Sequence, residues 1–336
     1  MMKVRSVGIA GVGSYLPENV ITNADLAKLV ETNNEWIVSR TGIKERRTAG
    51  EGVPVSDLCF MAAKRALEDA GIRAEDLDLI LVATVTPDFL FPSTACLIQA
   101  KLGAPKAAAL DIEAGCSGFL YGLAVGSQFV ATGMYENVLV IGAETLTKLV
   151  DFTDRATCVL FGDGAGAAVL RPEEDGKGIL SLVLGAQGEG GELLQVPAGG
   201  SRLPASEQTL KDRQHYIKMT GNEVYKFAVR TMGEAAVQSL EKAGLTPADV
   251  DVLVPHQANI RIIDAAVKRL GIDPGKVIIN LDRFGNMSAA SIPVALDEAV
   301  TSGKIKNGDT VVMVAFGAGL TYGACTMKWS KPEGER

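Results

Sequence analysis

Two stretches set the architecture: "LEDAGIRAEDLDLIL" at 67–81 and "LEKAGLTPADVDVLV" at 240–254. Aligned, six of their fifteen positions are identical and five more are exchanges among Leu, Ile and Val. Each reads as a helix end, a Gly C-cap, a short turn and a buried strand. A weaker likeness joins "CSGFLYGLAVGSQFVATG" from Cys116 to "NMSAASIPVALDEAVTSG" from Asn286. Both open on small residues, run as an apolar helix, close on Gly and lead into an apolar strand, "NVLVIGAE" or "TVVMVAFGAG". The chain therefore reads as a duplication, with halves over 1–172 and 173–336 and "RPEEDGKG" as the turn between them. Strands alternate with helices in both halves, which predicts an α/β architecture with a mixed or parallel sheet in each. The helices after Cys116 and Asn286 are apolar nearly all round, so they are expected between layers. If a pseudo-dyad relates the halves, Cys116 and Asn286 face one another. The Gly-, Pro- and polar-rich segment of about 185–220 breaks the repeat and reads as an insertion that walls a binding site.

Composition narrows the class. The 336 residues are 47% hydrophobic and 22% charged, ordinary for a globular protein with a large core. A net charge of −7 disfavours nucleic acid as a general partner while leaving room for a local basic patch. The N-terminal stretch turns too early on Gly to be a signal peptide, and no apolar run is long enough to cross a bilayer. A cytoplasmic protein without membrane contact is the expectation. The five cysteines are odd in number and lack C-x-x-C spacing, which argues against a disulfide framework and against a metal site.

Chemistry concentrates at three places. Cys116, in "EAGCSGFL", sits where an apolar run gives way to a helical one, and a helix N-terminus there would stabilise a thiolate and hold an oxyanion. The competing reading is a small buried hydrophobe, which suits Cys59, Cys96, Cys158 and Cys325 better. His256 follows directly on the strand that repeats Leu79–Leu81, and strand C-terminal ends in α/β sheets are where sites gather. The only other histidine, His215, falls in the polar insertion and is expected to be exposed. Asn286, after Gly and before a Ser/Ala-rich helix, reads as an N-cap or as an amide donor to a developing enolate or oxyanion. "FGDGAGAAVL" at 161–170 lacks both the Lys-Ser/Thr of a P-loop and the G-x-G-x-x-G order, and reads as a close-packed turn feeding a strand.

Taken together these motifs resemble the β-ketoacyl-acyl-carrier-protein synthase III family, the initiating condensing enzymes of type II fatty-acid synthesis. The likeness runs through "NEWIVSRTGIKERR", "FPSTACLIQ", "DIEAGCSGF", "DRATCVLFGDGAGAAVL", "GNEVYKFAV", "PHQANIRI", "FGNMSAASIP" and "AFGAGLTYG", in order and spacing. It implies a duplicated thiolase-like fold layered α-β-α-β-α with buried central helices. It implies Cys116 as the acyl-accepting nucleophile, with His256 and Asn286 holding the thioester carbonyl of the second substrate. The N–H groups of Cys116 and of a residue near Ala318 would form the oxyanion hole. Thr32, Trp36, Arg40, Arg155, Phe161, Gly221, Asn222 and Asn259 would line the coenzyme A tunnel. Phe91 would reach the acyl pocket of a second subunit, so a homodimer is implied. The segment Gln257, Ala258, Asn259, Ile260 and Arg261, with Lys226, Lys268 and Arg269 adding charge, would dock the acyl carrier protein. Neither metal nor redox cofactor is implied. Tyr322, where many members have Trp, and Tyr225, where Phe is common, depart from the pattern and bear on tunnel detail.

The resemblance implies decarboxylative condensation of a short acyl-CoA primer with a malonyl-carrier protein. A polyketide-priming synthase of secondary metabolism would share the same three residues. A cysteine thioester hydrolase would use Cys116 and His256 without a carrier patch, and a non-catalytic scaffold would need none of them.

Overall fold

The computed structural model describes residues 4–331, so the outer ends of the two expected halves, 1–3 and 332–336, lie outside the described residues. Nine strands build its two principal sheets: β1 (Ser6–Tyr15), β2 (Leu79–Ala83), β3 (Ala108–Ile112), β4 (Val138–Thr145), β5 (Asp163–Glu173), β6 (Gly178–Ala186), β7 (Val252–Pro255), β8 (Thr310–Gly317) and β9 (Thr321–Lys328). Seven helices matter for the site: α1 (Asn34–Thr41), α2 (Val55–Ala70), α3 (Thr94–Leu102), α4 (Gly118–Ala131), α5 (Gly221–Lys242), α6 (Ile260–Leu270) and α7 (Ser291–Thr301). The first sheet has the order β1-β5-β4-β2-β3 and the second β7-β8-β9-β6. Strands of the first all precede Glu174 and those of the second all follow Lys177.

Both sheets are mixed. β2 pairs in parallel with β3 and β4, whereas β5 runs antiparallel to its neighbours β1 and β4. The second sheet repeats this pattern, with β7 parallel to β8 and the remaining pairs antiparallel. Beyond β7, where the first sheet has β3, only a single parallel bridge from Leu253 to Val277 remains. The repeated sequence thus keeps four strands per sheet and reduces the fifth to one contact.

The Gly71 C-cap is left-handed, at φ 65°, and closes α2 before the chain enters β2, as the repeat predicts. The matching Gly244, at φ 71°, follows α5 in the same way. α2 covers the outer face of the first sheet and α5 that of the second. α4 and α7 lie between the sheets: ten of the fourteen residues of α4 are buried, and only the stripe Tyr121, Val125, Gln128 and Phe129 reaches the surface. Phe119 and Leu123 of α4, Ile292 and Leu296 of α7, Val140 of β4 and Met313 of β8 belong to one continuous core. The layers are therefore helix, sheet, helix pair, sheet, helix. Close approach of the central layer requires glycine in the strands beneath it. A Cβ on Gly142 of β4 would come within 2.2 Å of the Ala289 carbonyl oxygen, and one on its cross-strand partner Gly166 within 2.7 Å of Pro293 Cβ. "FGDGAGAAVL" is thus part of a strand packed under a helix.

Candidate active site

Two cavities meet at Cys116. One, of about 720 Å³, is lined mainly by apolar groups including Val85, Leu90, Leu149 and Ile217. The other, of about 500 Å³, holds His256, Asn286, Phe316 and Gly317 at its inner end and Trp36, Arg40 and Arg261 among its other walls. Cys116 lines both, as do Phe161 and Leu194. The inserted segment contributes Leu194, Gln195 and Val196 to the larger cavity and Met219 to the smaller.

Local structure corrects one expectation at each half. Cys116 sits in a 3-10 turn, Gly115–Ser117, and α4 starts only at Gly118; Asn286 likewise precedes a 3-10 turn, Ser288–Ala290, ahead of α7. The small residues allow these tight turns to interlock with the end of β8. Gly115 has φ +52°, and a Cβ on it would sit 2.8 Å from the Ala318 nitrogen. A Cβ on Gly317 would sit 2.4 Å from the nitrogen of Cys116.

Burial dominates the electrostatics of the nucleophile. The Cys116 thiol is pushed up to about 11, chiefly by desolvation and against the pull of the Ser288 hydroxyl and the N–H groups of Ala318 and Cys116. Helix-terminal stabilisation, which the sequence suggested, is outweighed in the resting protein. His256 is 1% exposed, its ring edge-on to Phe316 at 5.5 Å, and burial pushes it down to about 3. The imidazole is therefore neutral over the whole physiological range. Neither of its ring nitrogens has a hydrogen-bond partner within the protein. Asn286 Oδ1 accepts the Ser288 N–H at 2.9 Å. That bond fixes the amide and leaves its NH₂ as the end that faces a ligand.

The residues expected along a coenzyme A tunnel gather at the smaller cavity. Trp36, Arg40, Phe161, Gly221, Asn222 and Asn259 all line it. The guanidinium carbons of Arg40 and Arg155 lie 4.8 and 4.9 Å from the Trp36 ring centroid. Asn259 caps α6, accepting the Arg261 N–H at 2.9 Å, and donates to the Arg40 carbonyl at 3.0 Å, so it ties two walls together. Thr32 is half-buried and lines neither cavity. Tyr225 is in the wall, whereas Tyr322 lines a separate cleft with Phe227 and Arg230.

Two members of the expected docking segment are corrected by burial. Gln257 is fully buried: its amide donates to the carbonyls of Pro255 and Ile278, and its oxygen accepts the N–H groups of Asn280 and Leu281. Ala258 is also buried. Ile260 is half-buried, whereas Arg261, Lys268, Arg269 and Lys226 are exposed. Arg269 pairs with Glu234 and Lys226 with Glu223, both at the surface. Phe91 is 86% exposed and, with Phe89 and Leu90, forms an apolar tip beside the larger cavity. His215 is half-buried against Thr209, outside both cavities. Two residues close to Cys116 escaped the sequence reading, Ser288 and Glu144. The one available signal was an acid at the end of the otherwise apolar β4.

Among the described residues no cluster of His, Cys, Asp or Glu has metal-binding geometry, and no helix is long and apolar enough to cross a membrane. Protein-family models described as 3-oxoacyl-[acyl-carrier-protein] synthase III match residues 110–188, and the C-terminal model of the same enzymes matches 240–329. A β-ketoacyl-[acyl-carrier-protein] synthase III of Desulfitobacterium hafniense is 63% identical over 97% of this chain and 98% of its own. This chain belongs to the β-ketoacyl-acyl-carrier-protein synthase III family. It is thus an acyltransferase of the condensing type, with that family's thiolase-like fold. The 3-oxoacyl-[acyl-carrier-protein] synthase III structure from Aquifex aeolicus superposes with a TM-score of 0.89 at 49% identity, covering 96% of this chain and 100% of that one. The priming β-ketosynthase of a polyketide pathway is also similar, with a TM-score of 0.91 at 36% identity over 99% of this chain and 98% of its own.

Proposed function

We propose that the protein starts fatty-acid chains in the cytoplasm, condensing a short acyl-CoA with a malonyl-carrier protein. The observation that carries this is the position of Cys116, shared by an apolar cavity on one side and by the His256–Asn286 cavity on the other. A nucleophile there accepts an acyl group into the apolar space while the polar side receives the thioester arms of both substrates in turn.

The parts take the following roles. Trp36, flanked by Arg40 and Arg155, holds the adenine of coenzyme A, since cations against an indole make a flat, polar-edged slot. Cys116 Sγ attacks the acyl carbonyl, and the N–H groups of Cys116 and Ala318 stabilise the oxyanion. Malonyl-carrier protein then enters the same arm. On loss of CO₂ its carbanion charge spreads onto the thioester oxygen, which takes hydrogen bonds from neutral His256 and from the Asn286 amide. The carbanion attacks the acyl-Cys carbonyl and the thiolate leaves. No step calls for a metal or redox cofactor. Arg261, Lys268, Arg269 and Lys226 offer an acidic carrier a basic face; two of them must give up surface ion pairs, which costs little. The exposed Phe89–Leu90–Phe91 tip fits burial against a second copy, with Phe91 entering that copy's acyl pocket.

Similarity to the polyketide-priming synthase favours a second reading, with the same chemistry on a different primer. Both readings are tested by incubating the protein with malonyl-carrier protein and acetyl-, branched short-chain or aromatic acyl-CoA, and weighing the carrier-bound product. Short primers extended by two carbons are expected. Turnover of aromatic primers alone would favour the second reading, and release of free acid alone would indicate a hydrolase.

A further inference from the structure

Glu144 is a buried carboxylate for which condensation, as set out above, has no use. It lies on β4 with no solvent exposure. Its Oε2 accepts the Thr86 hydroxyl at 2.7 Å and the Thr84 hydroxyl at 3.2 Å, and the Val85 N–H bridges both carboxylate oxygens at 3.2–3.3 Å. Burying a carboxylate is costly, and a strand end so equipped with donors keeps it able to ionise. The 288–290 turn, which carries Ser288, packs against both β4 and the 115–117 turn that carries Cys116. The Ser288 hydroxyl is buried and has no hydrogen-bond partner of its own, so it is free to take one when the site reacts. Ser288 also has φ +46°, a conformation that side chains other than Gly, Asn and Asp seldom adopt. The same residue, with Thr84 and Cys116, lines the apolar cavity.

From this arrangement we infer that Ser288 and Glu144 form the proton outlet of the Cys116 thiol. As Sγ attacks the acyl-CoA carbonyl, the S–H bond breaks and its proton passes to Ser288 Oγ. The hydroxyl's own proton passes in the same motion to Glu144. When the tetrahedral intermediate collapses, the acyl–S bond to coenzyme A breaks. The proton then returns from Glu144 through Ser288 to the departing sulfur, so none is consumed. Ser288 touches the reacting atom, whereas Glu144 acts through it.

His256 is the competing acceptor, and the structure speaks against it. His256 lines only the polar cavity, and its proton affinity is the lower of the two: burial pushes His256 down to about 3 and Glu144 up to about 7. A general base works best when its pKa lies near the working pH. The transfer from a thiol near 11 remains uphill, so it accompanies attack and does not precede it. The titratable groups that feel Glu144 are Cys59 of α2, which also faces Asp88 in the loop after β2 and Asp111 of β3, and Cys116; Asp163 of β5 pairs across the sheet with Thr145, the next residue of β4. Cys59 is held protonated by burial, so it does not titrate in the same range.

The proposal rests on Cys116 being the nucleophile, and its test separates the two. Single-turnover acylation by acetyl-CoA is followed by intact mass across pH 5–10 for the wild type, Glu144→Gln, Glu144→Asp, Ser288→Gly and Cys116→Ser. Glycine is chosen at Ser288 because it keeps the positive φ. Failure of the wild type to gain an acyl group at Cys116 would remove the nucleophile assignment itself. With the wild type acylated, the relay predicts a rate that rises through a step near pH 7. Glu144→Gln and Ser288→Gly should abolish that step and lower the rate about 10²-fold or more. Glu144→Asp should restore the step in part. Acylation of Glu144→Gln at the wild-type rate with an unchanged profile would overturn the relay. So would a slower Gln variant that keeps the step near pH 7, since that marks a structural loss only.

Discussion

Gly317→Ala isolates the placement of the nucleophile from its chemistry. Gly317 ends β8 outside the positive-φ region, so alanine takes up its backbone without strain. The added methyl carbon would sit 2.4 Å from Cys116 N and 3.1 Å from both its Cα and Cβ, where ordinary contact begins at 3.4 Å. The two backbones must therefore part by about 1 Å, which displaces the Cys116 and Ala318 N–H groups proposed as the oxyanion hole. A displacement of about 1 Å at reacting atoms costs on the order of 10² in rate. The same overpacking should lower stability by about 1–3 kcal/mol, a loss of a few degrees in Tm that leaves the protein folded. Rapid-quench acylation by acetyl-CoA, read by intact mass, measures the first effect, and thermal unfolding the second. Gly200→Ala is the control, because its Cβ would meet nothing within 4 Å. A Gly317→Ala protein that acylates at the wild-type rate would show that Cys116 and β8 are not held in this close contact during catalysis.

His256→Ala and Asn286→Ala should still acylate Cys116 but decarboxylate a malonyl thioester about 10²–10³-fold more slowly, as measured by CO₂ release; failure at acylation would reassign both residues. Trp36→Ala should raise KM for acyl-CoA about tenfold with kcat little changed, as loss of a cation–π slot worth about 1–2 kcal/mol would do. Glu144 supplies a stability test independent of catalysis. Its folded pKa, about 7, lies above its ordinary 4.5, so the native state binds more protons than the unfolded chain between those values. Stability should thus fall as pH rises from about 4.5 to 7, by on the order of 3 kcal/mol, and Glu144→Gln should flatten that part of the Tm-versus-pH curve.

The two repeated stretches made the duplicated architecture legible, because a Gly C-cap followed by a buried strand is a local signal that survives without tertiary information. The reduction of the fifth strand to the Leu253–Val277 bridge was not legible, since a single paired residue leaves no period to detect. Cys116, His256 and Asn286 were readable from their places at strand and helix ends, and the structure brings them to one cavity. The state of the thiol was not readable: a sequence shows a helix start, whereas desolvation depends on how the interlocked turns at Gly115 and Gly317 shut out water. Gln257 and Ala258 were expected at the surface only because the resemblance puts them in a docking segment; the carbonyls of Pro255 and Ile278 draw Gln257 inward. Glu144 and Ser288 stayed hidden because each looks ordinary alone, and only the packing of β4 beneath the 288–290 turn places them beside Cys116.

The most direct measurement is peptide-mapped mass spectrometry after mixing the protein with acetyl-CoA and then with malonyl-carrier protein. Cys116 should carry the acetyl group after the first addition and lose it after the second, with the carrier gaining the two-carbon-extended chain. An acetyl group found instead on exposed Cys96, or one on Cys116 that the malonyl-carrier protein fails to remove, would contradict a nucleophile shared between the two cavities.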